Sequence, residues 1–258
     1  MDIFNLNYAE FERFLFVFFR VGALVLFVPI LGSRQVPSSM KIGFILFLSI
    51  AIFPLVEGRP LPDPRGIFDL AIFLISDVTI GLGIAFITRL IFTAVQIAGT
   101  VVDFQMGFGV VNVIDPQTDT QVSVTAQFHN IVAVLIFLAV DAHHFILQAI
   151  VESFFIINPA EINFSSLTPE YMLYLFSGTF TTAVKIAAPI MAILFFLSVG
   201  LGLVARTVPQ MNVFIVGFPL QIGVGLLMVG LSLSFFTVLV QQQMYDLPGK
   251  LMGFLWAL

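Results

Sequence analysis

Long runs of apolar residues alternate with short polar stretches along the chain. Each run approaches the roughly 20 residues that a helix needs to cross a bilayer. Within a run the apolar residues are continuous, whereas the strands of a membrane barrel would show alternation over about ten residues. The pattern predicts an all-α, polytopic integral membrane protein of about six long hydrophobic helices, at about residues 11–31, 40–56, 67–101, 128–157, 172–204 and 211–245.

Proline, glycine and polar residues fill the connections between these runs, which favours helical hairpins. Runs 67–101 and 172–204 exceed what one upright span requires, so these helices must tilt, bend or leave the bilayer. Cytoplasmic loops normally carry an excess of Lys and Arg, but here the first and second connections carry equal numbers of basic residues. We therefore expect some hairpins to be bent or re-entrant and held within protein, where irregular backbone is tolerated.

Composition supports the membrane assignment and narrows the function. Of the 258 residues, 59% are hydrophobic and 10% are charged, and the mean hydropathy is +1.09. A water-soluble domain of this size would carry far more charge. The formal net charge of -5 gives no affinity for nucleic acid. The chain has no Cys, so disulfides and thiolate metal sites are excluded.

Candidate chemistry is sparse. His143 and His144 lie beside Asp141, but adjacent His side chains point in different directions on a helix, and His129 is the only other histidine. A closed zinc site needs four ligands. Motifs for a serine nucleophile or a phosphate-binding glycine loop are absent from the sequence. We therefore predict no metal, no cofactor and no enzymatic activity.

A polar stripe runs along the third apolar run. Its five members recur at alternating steps of four and three, which places them on one face of a helix. One interpretation is a set of polar contacts buried between packed helices, and the other is a wall of a water-filled path. The stripe consists of Arg89, Thr93, Gln96, Thr100 and Asp103.

The stripe leads into the stretch "DFQMGFGVVNVIDPQTDTQ", residues 103–121. Gly107 and Gly109 are expected to end the helix and to permit sharp turns. The later part is too polar for lipid, and the earlier part is too apolar for water, so the stretch should be buried against protein. It is either a gate or an ordinary re-entrant connector. Apolar side chains exclude ions from a constriction by dewetting, and the candidates are Phe104, Met106, Phe108, Val110 and Val111.

A second interruption separates the last two runs. Pro209 prevents the preceding helix from continuing, and Arg206 can complement the negative end of its dipole. Gln210 and Asn212 complete this tip. Its role is either to make the turn or to contact a partner.

Three segments resemble a known family. They are "FRVGALVLFVPILGSRQVPSSMK", "QIAGTVVDFQMGFG" followed by "IDPQ", and "ARTVPQMNVFIVGFPLQIGVG". In this order and spacing they resemble the FliR family of the flagellar type III export apparatus, called SctT in virulence injectisomes. The segment "NVFIVGFP" favours the flagellar branch. Gln221 departs from the pattern, since the family often has Lys there.

The resemblance implies assembly with FliP and FliQ homologues into a helical, hetero-oligomeric export gate. Such a gate lies in the bacterial inner membrane at the flagellar basal body, is raised toward the periplasm, and encloses a conduit for unfolded flagellar proteins. An FlhB homologue lies beside it. By resemblance, residues 1–170 form a FliP-like hairpin region, residues 171–258 a FliQ-like hairpin, and residues 104–121 the plug of the closed pore.

Two alternatives from other classes remain open at this point. A secondary transporter would cradle a small substrate between helices broken at residues 106–116 and 207–219, although such carriers usually show matching inverted halves. A purely structural membrane scaffold would differ from the gate only in that its loop gates nothing.

Overall fold

A computed structural model of the chain describes residues 8–29, 32–33, 36–56, 64, 66–108, 123–160, 167–208, 210 and 213–258. Within these ranges the regular structure is α-helical and no strand occurs, which confirms the predicted fold class. The helices are α1 (Tyr8–Phe27), α2 (Ser38–Val56), α3 (Ile67–Met106), α4 (Val124–Ala139), α5 (Ala142–Ile156), α6 (Leu167–Thr207), α7 (Val213–Leu231), α8 (Leu233–Tyr245) and α9 (Leu247–Ala257).

Two of the predicted helices are interrupted. The run at 128–157 is broken at residues 140–141, where Asp141 adopts a left-handed conformation with φ 55°, so α4 and α5 are separate helices. The run at 211–245 is broken at Ser232, between α7 and α8. Helix α9 was not predicted, although Pro248 near its start is a position that favours helix initiation.

In the part of the chain that the structure describes, three helices are long and apolar enough to cross a membrane: α2, α3 and the segment Pro169–Thr207 of α6. Two bent pairs, α4 with α5 and α7 with the helices after it, would raise the number to five. Helix α1 is not among them, since its apolar sequence is interrupted by Glu10, Glu12, Arg13 and Arg20. Helices α3 and α6 have 40 and 41 residues, and at 1.5 Å per residue each is about twice as long as the roughly 30 Å hydrocarbon core.

The chain divides into two packing units. The first consists of Met1–Leu90, Asp141–Phe176 and Tyr245–Leu258. In it α1 packs against α2, and α5 packs against α2 and α9. The second consists of Ile91–Val140 and Ser177–Met244. These units are defined by packing, whereas the boundary near residue 170 rests on resemblance to partner proteins and stays a prediction.

A buried ion pair joins three helices of the first unit. Arg20 of α1 is fully buried and forms a salt bridge with Asp77 of α3, in which Nε donates to Oδ1 at 2.7 Å. Its Nη1 donates to Ser153 Oγ of α5 at 2.9 Å, and its guanidinium lies 3.8 Å from the centroid of the Phe154 ring. A charge in an apolar interior must be paired to be tolerated. Arg20 therefore faces protein, with its charge paired to Asp77.

Candidate functional site

The polar stripe of α3 lies largely on the accessible surface of the chain. Arg89, Gln96 and Thr100 are exposed, and Thr93 is partly exposed. Thr100 Oγ1 donates to the backbone oxygen of Gln96 at 2.9 Å, within its own helix. This face is therefore available to water or to another chain, and its place along a water-filled path stays a prediction.

Asp103, the last residue of the stripe, is turned inward and is 5% exposed. Its Oδ2 accepts a hydrogen bond from Ser123 Oγ at 2.5 Å and another from the backbone N–H of Thr125 at 3.2 Å. Ser123 in turn caps α4, because its Oγ accepts from the N–H of Ala126 at 3.0 Å. One carboxylate thus links the end of α3 to the start of α4.

Close backbone packing lies one turn before this contact. A Cβ added to Gly99 of α3 would come within 2.5 Å of the Ala126 nitrogen and 2.8 Å of its Cβ. Only glycine at this position lets α3 and α4 approach so closely. We call the four residues Gly99, Asp103, Ser123 and Ala126 the loop neck, since they hold together the two helices that flank residues 107–122.

Helix α3 ends at the predicted glycine. Gly107 has φ 92°, a conformation that L side chains rarely adopt. Its N–H donates to the Phe104 oxygen at 3.2 Å, and the Phe108 N–H donates to the Asp103 oxygen at 3.1 Å. This pair of bonds is the Schellman arrangement, which satisfies the free carbonyls at a helix end. The prediction that Gly107 breaks the helix is confirmed, whereas Gly109 lies outside the described residues.

The start of the loop packs against one face of α7. Met106 is fully buried, and a Cβ added to Gly225 would come within 2.5 Å of its Cγ. A Cβ added to Gly107 would come within 2.7 Å of Cδ1 of Phe218. Between them on the same face, Gln221 Nε2 donates to Ser198 Oγ of α6 at 3.1 Å. At this position a neutral side chain therefore links α7 to α6.

The other candidate plug residues differ in exposure. Phe104 is 75% exposed, and Phe108 is partly exposed. Val110 and Val111 lie outside the described residues. The apolar side chains at the loop start thus face two ways: Met106 packs into its own chain, while Phe104 projects from it.

The predicted tip lies where expected along the chain. Helix α6 ends at Thr207, and α7 begins at Val213. Arg206 is exposed in the last turn of α6, and Gln210 is exposed beyond it. Pro209 and Asn212 lie outside the described residues.

The histidine pair departs from expectation. The rings of His143 and His144 have centroids 4.2 Å apart, and Asp141 Oδ1 lies 3.9 Å and 3.6 Å from a nitrogen of each. The expectation that these side chains point in different directions is wrong, because the helix starts at the left-handed Asp141 and brings all three together. Candidate ligand atoms lie within 4.8 Å of one another, but the groups are at least partly exposed, and they provide three of the four ligands of a closed zinc site.

His129 has a packing role in the second unit. It is buried, and its Nδ1 lies 2.8 Å from the Thr125 oxygen. Its ring centroid is 4.7 Å from that of Phe236 in α8. The residue thus holds α4 against α8.

The missed residues are Asp77 and Ser153, the two hydrogen-bonding partners of Arg20. Asp77 carried a signal in the sequence, since a carboxylate in the middle of a long apolar run requires a positive partner. Ser153 carried none, because a serine in a helix commonly bonds its own backbone, as this one also does to the Ile150 oxygen at 2.6 Å.

These features define a polytopic helical membrane protein with two overlong helices, the first of which ends at Gly107 in contact with α7. A family model described as bacterial export proteins, family 1, matches residues 11–247. The chain is 39% identical to the flagellar biosynthetic protein FliR of Bacillus subtilis (strain 168) over 235 residues, 90% of each chain.

Similarity extends to more distant relatives. The chain is 30% identical to FliR of Aquifex aeolicus (strain VF5) over 229 residues, 89% of this chain and 88% of the relative. It is 26% identical to the Yop proteins translocation protein T of Yersinia pestis over 207 residues, 78% of each. The chain belongs to the bacterial export proteins, family 1, and the resemblance seen in its motifs is confirmed. It is therefore a membrane component of a bacterial export apparatus, and its relatives are named for biosynthesis and translocation rather than for a catalysed reaction.

Proposed function

We propose that this chain is a subunit of a flagellar type III protein export gate and that residues 104–121 plug the gate when it is closed. The supporting observation is the fixed start of this loop. A Schellman helix end, the contacts of Met106 and Gly107 with α7, and the loop neck hold it at a defined place. A plug needs fixed ends, because a loop whose first residues were free to move would not return to one position.

The chemistry of the loop suits a seal. A conduit wide enough for an unfolded chain must hold back protons and ions at rest, and fixed polar groups would hydrate them, whereas apolar groups exclude them by dewetting. Phe104 projects from the chain and Phe108 is partly exposed, so both can reach neighbouring subunits. Met106 fixes the loop start to α7 in this structure, and its predicted place in the seal would need it to leave that packing.

Exposed apolar side chains support an assembly with other subunits. Along α6 they include Phe180, Phe195 and Phe196, and lipid alone does not require so many aromatic rings on one helix. In the proposed gate the neighbours are FliP and FliQ homologues, and residues 1–170 and 171–258 are the FliP-like and FliQ-like regions. Unfolded flagellar proteins pass through the conduit. The gate lies in the inner membrane at the basal body, with part raised toward the periplasm, where α3 and α6 use their extra length.

The flagellar role is favoured over the equivalent injectisome role. The relatives at 39% and 30% identity are flagellar proteins, whereas the Yersinia translocation protein is at 26%. The description of the family and the name of the Yersinia relative favour protein export over the alternative of a small-solute carrier.

Co-expression tests the proposed assembly. Produced with FliP and FliQ homologues, the chain is expected to purify in one stable complex, while alone it should aggregate or be degraded, because its apolar faces need neighbours. The measurement is size-exclusion chromatography of detergent extracts. A monodisperse, thermally stable chain obtained without partners would contradict the assembly.

The same purification tests the proposed contact of the tip with an FlhB homologue. Arg206→Glu reverses an exposed charge in the last turn of α6, so co-purification of the FlhB homologue should be lost while the FliP and FliQ homologues remain bound. Loss of the whole complex would instead assign Arg206 to turn formation.

Gly107→Val is expected to abolish export without causing an ion leak. A β-branched residue resists φ 92°, at a cost of roughly 1–2 kcal/mol, and the added atoms would overlap Phe218. The loop would then lose the backbone freedom needed to move aside for substrate. Secretion of a flagellar substrate is the measurement, and Gly249→Val is the control, since a Cβ there meets nothing within 4 Å. Normal secretion by an assembled Gly107→Val complex would exclude a hinge at this glycine.

A further inference from the structure

Asp103 bonds to both ends of the loop. Its backbone oxygen accepts from the N–H of Phe108, the residue that begins the loop, at 3.1 Å. Its side-chain Oδ2 accepts from Ser123 Oγ, directly after the loop, at 2.5 Å. Asp103 therefore accepts hydrogen bonds both from the first residue of the loop and from the residue that directly follows it.

We propose that Asp103 is the positioning residue of the plug: its carboxylate keeps the loop neck closed, so that the plug returns to the pore when no substrate is present. The inference rests on the proposed function, since it assigns to the neck a part in the resting seal. Asp103 acts through the loop and needs no contact with ions or substrate.

The surroundings of the Asp103 carboxylate indicate that it holds α3 and α4 together rather than merely filling space between them. Asp103 is 5% exposed, and its Oδ1 has no hydrogen-bond partner within the part of the chain that the structure describes. A buried acceptor without a partner is unfavourable, so an apolar side chain would fill the same space at lower cost. What the carboxylate provides instead is two charge-assisted bonds to α4, which are stronger than bonds between neutral groups.

The neck has a second contact that does not depend on charge. Gly99 meets Ala126 one turn away, on the same faces of α3 and α4. This packing keeps the two helices together when the carboxylate bonds are lost. Replacing Asp103 should therefore loosen the loop while leaving the helix pair and the assembly intact, which makes the inference testable.

The test exchanges the two partners. Asp103→Ser shortens the side chain and breaks the bond across the neck, and Ser123→Asp places two carboxylates against each other. The double exchange, Asp103→Ser with Ser123→Asp, lets a serine hydroxyl donate to a carboxylate again, and Asp at position 123 still caps α4. Ionic conductance of membranes containing equal amounts of complex with FliP and FliQ homologues is measured for each variant and for a deletion of residues 106–120.

Each single exchange is expected to raise resting conductance by about tenfold, the change that one hydrogen bond to a charged group produces in an equilibrium. The double exchange should return it close to the native value, which a general loss of folding would not do. Thr79→Val is the control, because the Thr79 hydroxyl donates to the Ile75 oxygen of its own helix at 2.8 Å and lies outside the polar stripe and the loop neck. This variant should conduct as the native complex does.

Two results would overturn the inference: native conductance in Asp103→Ser, or a double exchange that conducts as much as the single ones. If Asp103→Ser fails to assemble, Ser123→Gly decides the question, since glycine is an acceptable cap that cannot bond the carboxylate. Native conductance in an assembled Ser123→Gly complex would then exclude the positioning role. If the complex with residues 106–120 deleted does not conduct, both the plug function and the inference about Asp103 are wrong. If that complex conducts while the Asp103 and Ser123 variants do not, the plug function stands and only the inference about Asp103 is wrong.

Discussion

Assembled complexes that lack residues 106–120 are expected to conduct ions at rest, whereas complexes with the full loop should be tight. The deletion removes the proposed seal, and the remaining pore, wide enough for an unfolded chain, would fill with water. The neck can survive this change. Asp103 and Ser123 are in hydrogen-bond contact, and the residues left between them can span several times that distance at about 3.3–3.6 Å per residue.

A second deletion distinguishes the loss of the plug from the destabilisation caused by removing Met106. Met106 is fully buried against Gly225, so removing it leaves a cavity that typically costs about 2–5 kcal/mol. Deleting residues 109–120 keeps Met106 and Gly107 in place and should leak to a similar extent. If fully assembled complexes of both deletions conduct no more than the native complex, the stretch is an ordinary buried connector.

Arg20→Leu is expected to deplete the chain from the complex at physiological temperature. The change leaves Asp77 buried without its positive partner, and breaking a buried pair in this way costs about 3–5 kcal/mol, a large part of the 5–15 kcal/mol that stabilises a typical domain. The measurement is the amount of chain that co-purifies with its partners, together with the aggregation temperature of the complex.

A double variant identifies the cause. Replacing both Arg20 and Asp77 by Leu removes both charges, so it should be less harmful than Arg20→Leu. Arg13→Leu, a change of a partly exposed arginine in the same helix, should have little effect. A double variant no more stable than the single one would show that Arg20 acts through its packing on Phe154 rather than through its charge.

The sequence predicted the helices well, because apolar runs of spanning length have few alternatives in a membrane. It also predicted the helix end at Gly107, since glycine is the residue that the left-handed conformation selects. It did not predict the break at Asp141, where a non-glycine residue takes that conformation with φ 55°. Asp is one of the few non-glycine residues that adopt this conformation, but it does so far less readily than glycine, so the sequence alone does not indicate the break.

The hydrogen bonds that connect the candidate site to the rest of the chain were not predicted from the sequence. The step pattern of α3 predicts one helix face for Arg89, Gln96 and Thr100, and all three are exposed, yet Asp103 follows the same spacing and is buried. Helical periodicity specifies a direction around the axis but does not give the position of a neighbouring helix. The partner of Asp103, Ser123, is 20 residues away, and no local pattern joins the two.

The first packing unit is built from segments far apart in the chain, and this affects the order of folding. Phe254 of α9 lies directly against Gly83 of α3, and Tyr171 donates to the Lys250 oxygen at 3.0 Å. More than 150 further residues must therefore be synthesised after α1, α2 and the first half of α3 before α9 is available to pack. At about 5–20 residues per second this delay is on the order of ten seconds or more. During that interval Gly83 lacks the Phe254 ring that packs against it in the folded chain, so this face of α3 is not yet covered by α9.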